Sequence, residues 1–331
     1  MKIGVFDSGV GGLSVLKSLI NAKLFDEIIY YGDTARVPYG NKDKATIVRF
    51  SLEAVDFFIP HKIDMLIVAC NTASAYALKE MQKIAPFPVI GVVESGVLSL
   101  SNKIKNKKDS ILIIATKATI KSGIYEKELR KLGYENITSL QTGLFVPLVE
   151  EGVFEGELLE ATMKYYFGGL NSSFGAGNSV LGMQFRTKNA ESSLNSANQP
   201  QQTIEGIAVE VVGFLDDFGR KARLESAQCP KSSKSTQDAP KSKLQTQDEF
   251  GSTTPKAIIL ACTHFPLIAH QIRAYFDNKP ILIHSGEAIV EFLLKNYTLD
   301  SAKKRTPKVQ FYASADKKSL QKTAKLWLKS L

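Results

Sequence analysis

With 331 residues, 44% of them apolar and 23% charged, the chain can form two domains of ordinary size and bury a core in each, which excludes a disordered polymer. No run approaches about eighteen uninterrupted apolar residues, and the N-terminus reaches Asp7 and several glycines before any useful apolar stretch, so a cytoplasmic protein with no membrane span is expected. The net charge of +9 resides largely in "KIKNKK" at 103–108 and in lysines between Lys303 and Lys329 spaced as on a solvated helix face; without interleaved aromatics or an arginine cluster this is a poor nucleic-acid footprint, and small anionic substrates are the better expectation.

In chain order, β-branched runs at 2–6, 27–31, 64–69, 88–93, 111–115, 257–261, 281–284 and 309–313 read as strands. A helix is predicted to start near Leu13, and amphipathic segments at 43–59, 72–84, 118–132, 264–277 and 286–296 read as further helices. Strands apolar on both faces and separated by helices predict an α/β fold of parallel sheets with helices on both faces. From about 168 to 251 the pattern gives way to Ser, Asn, Gln, Gly and Lys, which reads as a polar insertion; its middle, 203–226, has acidic residues leading and basic ones closing, as a helix would.

Three cysteines, with no C-x-x-C pair, fit neither a disulfide framework nor a zinc site and read as reduced thiols. Cys229 lies in the polar stretch and reads as incidental. Cys70 and Cys262 are different, because "LIVACNT" and "IILACTH" end two apolar strands in the same way. Ligands of parallel sheets bind beyond the carboxyl ends of strands. A thiol there, at the start of a helix, is expected to have its pKa lowered below about 8.5. One such cysteine would read as a nucleophile. Two that face each other across a cleft can remove a proton from one face of a carbon centre and deliver one to the other, as inversion of a stereocentre requires.

Asp7 and Ser8 occupy a third strand end, in "GVFDSGVGGLSVL", before a glycine-rich turn suited to an anion. The turn is not a dinucleotide fingerprint, since Ser14 stands where the last glycine would be, and it lacks the G-K-[ST] of a P-loop. Tyr39, in "RVPYG", reads on its own as a turn residue with its ring at the surface.

The ordered motifs "FDSGVGGLSVL", "YYGDTARVPYGNK", "IVACNTASA", "GVVESG", "ATKATIKSGIYE", "LVEEG" and "LACTHFPLI" resemble the glutamate racemases of the cofactor-independent Asp/Glu racemase superfamily. The resemblance covers most of 1–167 and 256–296. It implies that Cys70 and Cys262 are the acid/base thiols, assisted by Asp7 and His264, with Glu150 a further acidic residue near the site. It implies substrate contacts from Asp7, Ser8, Tyr39, Gly40, Asn71, Thr72, Thr263 and His264, supported by Thr116 and Thr119. It also implies interconversion of L- and D-glutamate with no cofactor, neither pyridoxal phosphate nor metal, supplying D-glutamate for peptidoglycan, and a homodimer; from composition and charge, no membrane or nucleic-acid partner is expected.

The expected organisation is two Rossmann-like α/β domains, 1–97 with 287–331 and 98–286, with the active site in the cleft between them. The alternatives are a racemase for aspartate or another amino acid, a nucleic-acid or partner-binding protein acting through the basic surface and insertion, and a thiol hydrolase using Cys262 and His264, which leaves Cys70 unexplained.

Overall fold

The structure is a computed structural model that describes residues 1–168, 170, 254–299 and 306–330. All of these fall in one of the two compact units of the chain, Met1–Met183 with Gly251–Leu331. The expected polar insertion beyond Leu170, the helix expected at 203–226 and Cys229 lie outside the described residues.

The α/β expectation is met by two parallel sheets with helices on both sides. The first contains β1 (Lys2–Asp7), β2 (Glu27–Gly32), β3 (Met65–Val68), β4 (Val89–Gly91) and, from the far end of the chain, β9 (Lys308–Ala313), in the order β4-β3-β1-β2-β9. The second contains β5 (Ile111–Ala115), β6 (Ile137–Gln141), β7 (Ala257–Ala261) and β8 (Ile281–His284), in the order β6-β5-β7-β8. Numbered from its own first strand, each sheet has the same core order, 2-1-3-4, and therefore the same topological switch point, between β1 and β3 in one and between β5 and β7 in the other.

The apolar runs that predict the strands are buried on both faces, and successive residues divide between clusters. Ile3, Val5 and Ile67 of the first sheet share a core with Leu112, Ile114, Ile258 and Leu260 of the second. Phe6, Leu66 and Val68 turn to the opposite face of the first sheet, and Ile111, Ile113 and Ile259 to that of the second. Each such side chain contributes about 1.5–3 kcal/mol by leaving water, so the shared core holds the inner faces of the two sheets in one unit. Helices Val92–Lys103 and Ser285–Asn296 pack along each other, joined by an Asn102–Glu291 hydrogen bond of 2.7 Å.

Several predicted elements have different bounds. The run 88–93 is a strand only over Val89–Gly91, and a helix starts at once from Val92. The helix expected over 72–84 is two helices, Asn71–Tyr76 and Leu78–Ile84. That expected over 118–132 breaks at Gly123, whose φ of 63° lies in the left-handed region where a β-carbon is disfavoured. After Cys262 the chain forms a 3-10 turn, Phe265–Ile268, with Pro266 near its start, before helix Ala269–Tyr275. The lysine-rich C-terminal segment forms helix Lys317–Ser330, with Leu320, Ala324 and Trp327 buried as one stripe.

The close fit of β1 in its core yields a prediction. A β-carbon on Gly4 would stand 2.7 Å from Phe58 Cε1 and 2.8 Å from Ile63 Cδ1. Gly4→Ala is expected to destabilise the protein by about 1–3 kcal/mol through overpacking, seen as a lower urea midpoint at unchanged slope.

Candidate active site

Topology places Asp7 at the end of β1 and Cys70 just beyond β3, on the two sides of the first switch point; Thr116 follows β5 and Cys262 follows β7, on the two sides of the second. Both thiols are free and buried. The two half-sites thus use the same positions in the same strand order.

Around Cys70 the surroundings are acidic and dry. Its Sγ lies 3.5 Å from Ser8 Oγ. Asp7 is fully buried; one carboxyl oxygen accepts from the Gly9 N–H at 2.9 Å, and the other, Oδ1, has no hydrogen-bond partner among the described residues. Burial raises the Asp7 carboxyl above its ordinary range, more than the Gly9 amide and the His264 charge lower it. The Cys70 thiol is pushed up to about 12, first by burial and next by the Asp7 charge, against opposing hydrogen bonds from Ser8 and the Ala73 amide. The lowered thiol pKa expected from a helix start is therefore reversed at Cys70. Helix Asn71–Tyr76 has only six residues, and desolvation of the thiolate outweighs the field of its first turn.

Around Cys262 the partner is an imidazole. His264 Nδ1 lies 3.7 Å from Cys262 Sγ, and its Nε2 lies 2.9 Å from Glu150 Oε1. Burial alone would lower the His264 pKa, but the hydrogen bonds and charges of Cys262 and Glu150 overcome it and hold the ring at about 10. The raised pKa favours the charged imidazole, which bridges the Glu150 carboxyl group and the Cys262 sulfur.

The two halves meet through close contacts. Thr72 Oγ1 is 3.1 Å from Thr116 Oγ1 and 2.9 Å from Thr119 Oγ1, and Thr116 and Thr119 are 3.1 Å apart, so three hydroxyls form one cluster across the halves. Asn71 donates to Ser285 Oγ at 3.4 Å and accepts from the Tyr125 hydroxyl at 2.5 Å. Ser14 donates to the Thr263 carbonyl at 2.7 Å. Two glycines allow the approach: a β-carbon on Gly11 would fall 2.2 Å from Thr263 Oγ1, and one on Gly40 would fall 2.6 Å from Thr116 Cβ. Each half also feels the other's charge, since ionised Cys262 raises the Cys70 pKa.

Tyr39 departs from the surface reading. It is buried, packs its ring near Phe6 and Phe50, and donates to Asp33 Oδ2 at 2.6 Å; Asp33 in turn accepts from Arg36 Nε at 2.7 and 3.0 Å. Asp33, Tyr125 and Ser285 contact predicted site residues and were not among those singled out in the sequence. Asp33 follows β2 and Ser285 follows β8 directly, so the strand-end rule could have found both; Tyr125 has no such position. A cavity of about 960 Å³ lined by Ser14, Lys17, His284 and Glu287, among others, includes none of the predicted site residues.

The fold and this arrangement define a class of two-sheet α/β proteins with a buried thiol at the same strand end of each sheet. The profile of the Asp/Glu/Hydantoin racemase family matches residues 8–168. A glutamate racemase of Campylobacter jejuni is 47% identical over 100% of this chain and 99% of its own length. A crystal structure of glutamate racemase from Campylobacter jejuni has 47% identity and a TM-score of 0.73, covering 100% of this chain and 99% of that one. One from Francisella tularensis in complex with D-glutamate has 26% identity and a TM-score of 0.66, covering 99% of this chain and 93% of that one. The chain belongs to the Asp/Glu/Hydantoin racemase family.

The His264 environment has a measurable pH signature. A histidine raised from 6.5 to about 10 on folding stabilises the protein fully below pH 6.5, and that contribution declines as pH rises through about 10. The stability advantage of the wild type over His264→Gln should be constant below pH 6.5 and shrink steadily between there and about 10, as followed by urea unfolding. An advantage that stays flat or grows across that window contradicts the assigned environment.

Proposed function

We propose that the protein is a glutamate racemase, an isomerase that interconverts L- and D-glutamate by proton transfer between its α-carbon and two thiols, Cys70 and Cys262. The observation that carries this reading is the placement of one buried thiol at the equivalent switch point of each sheet, each beside its own ionisable partner. The names of the relatives and the D-glutamate complex of the Francisella tularensis enzyme support the choice of amino acid.

In the proposed step, the thiolate of one cysteine takes the α-proton. An S–H bond forms as the C–H bond breaks, and the electron pair is spread into the α-carboxylate. The opposed thiol then gives its proton to the other face and is left as the thiolate, so the enzyme finishes ready for the reverse reaction. Cys70, held at about 12, is the protonated partner at neutral pH. Asp7, with a buried oxygen lacking a partner among the described residues, suits the substrate ammonium, and Ser8 lies beside Cys70. The hydroxyls of Thr72, Thr116 and Thr119 can rotate to donate to a carboxylate, where they resist the charge that develops in the transition state. Thr263, Tyr39 and Gly40 shape the walls, with Tyr39 held by Asp33 and Gly40 against Thr116. His264, between Cys262 and Glu150, is placed to pass a proton.

The same proposal extends to two lobes, 1–97 with 287–331 and 98–286, enclosing the site, to a homodimer, and to supply of D-glutamate for peptidoglycan. No helix among the described residues is long and apolar enough to cross a membrane.

Cys70→Ala and Cys262→Ala should each lower glutamate racemisation by at least about 10²–10⁴-fold in both directions, the usual contribution of a positioned acid or base. Circular dichroism started from either enantiomer measures this, with aspartate as the comparison substrate. Full turnover by either variant, or faster turnover of aspartate by the wild type, contradicts the reading.

A further inference from the structure

Tyr125 has no place in the chemistry above, yet its hydroxyl reaches the residue next to Cys70. It lies near the start of helix Ile124–Lys131, and its ring belongs to the apolar cluster of Val93, Val97, Ile113 and Ala261. From there the hydroxyl donates to Asn71 Oδ1 at 2.5 Å, while Asn71 Nδ2 faces Ser285 Oγ at 3.4 Å. Tyr125, Asn71 and Ser285 are all buried.

A carboxamide can be turned end for end with little change of shape, but its two ends are chemically opposite, one accepting and the other donating. Tyr125 decides between them. Burial, reinforced by the charge of Cys262, raises its hydroxyl above the ordinary range, so it keeps its proton and needs an acceptor. In the turned orientation two donors would meet, and the tyrosine proton would be left in an apolar cluster without a partner. The Ser285 contact takes one amide hydrogen at long range, and the second has no protein partner among the described residues.

We propose that Tyr125 is a positioning residue that fixes the Asn71 carboxamide with its oxygen turned away from the bound amino acid and its NH2 group available to the substrate carboxylate. This rests on the racemase reading for the identity of the substrate, and on the hydrogen bonds alone for the orientation of Asn71. A bond from one half of the molecule thereby sets the polarity of a donor in the other, and a substrate group that needs an acceptor at that point is refused.

The test is a double-mutant cycle in the full-length protein. Tyr125→Phe keeps the ring and removes the hydroxyl, and is expected to lower kcat/KM for both glutamate enantiomers about tenfold, the equivalent of one lost hydrogen bond. On an Asn71→Ala background the same change should alter kcat/KM less than about twofold, because Tyr125 acts through Asn71. A general structural role would give the same loss on both backgrounds, which would overturn the proposal, as would full activity of Tyr125→Phe. A second readout needs no turnover. In protein labelled with 15N-asparagine, the side-chain NH2 signal missing from Asn71→Ala identifies Asn71, and it should shift or broaden in Tyr125→Phe. An unchanged signal in Tyr125→Phe overturns the proposal even if the wild type does not racemise glutamate, an outcome that would by itself defeat only the choice of substrate.

Discussion

A thiol taken out of water resists ionisation, and the rest of the site is arranged around that resistance. Cys70 has its pKa pushed up to about 12 because burial and the Asp7 carboxylate both oppose a second negative charge. An amino acid brings an ammonium group, and Asp7 offers a buried oxygen with no other partner among the described residues to receive it. Neutralising Asp7 removes one of the causes that hold the thiol protonated. The cleft is thus proposed to gain its working electrostatics together with its substrate, while in the absence of substrate the sulfur is kept in its less reactive form.

The two half-sites are the same in topology and different in chemistry. Both cysteines follow the third strand of a 2-1-3-4 sheet, where the connections diverge and leave the strand ends open. Yet Cys70 has a carboxylate and a hydroxyl beside it, whereas Cys262 has an imidazole held at about 10 by Glu150 and the sulfur itself. A reversible racemisation does not require equal partners. It requires that each sulfur hold a proton in one state and lack it in the other, and different neighbours can meet that condition on each side. What must match is position, and the shared core, the three-threonine cluster and the glycine contacts at Gly11 and Gly40 hold the two switch points together.

Much of this was legible in the sequence, for identifiable reasons. Strands buried on both faces write themselves as continuous apolar runs, so the centres of β1, β3, β5 and β7 are plain, and with them the strand ends carrying Asp7, Cys70 and Cys262. β6 was missed because "ITSLQ" is a half-buried edge strand with a polar middle. Helix breaks at Ala77, Gly123 and Ile268 are not visible in the sequence because the amphipathic pattern continues on both sides of each. The thiol pKa expectation failed at Cys70 because helix position can be read locally and burial cannot. Tyr39 was misplaced for the same reason: nothing in "RVPYG" shows that Asp33, six residues earlier, waits inside to accept its hydroxyl proton. The contacts of Asn71 with Tyr125 and Ser285 join residues 54 and 214 positions apart, and no local pattern encodes such pairs.

The central claim, that two separate thiols serve the two faces of one carbon, is tested most directly by isotope exchange in D2O with no added cofactor. Starting from either enantiomer of glutamate and sampling early, the account predicts deuterium at the α-carbon of the product and hardly any in the recovered substrate, because each sulfur exchanges with solvent on its own side. Deuterium entering substrate and product at equal rates would mean that a single group serves both faces, and would contradict it.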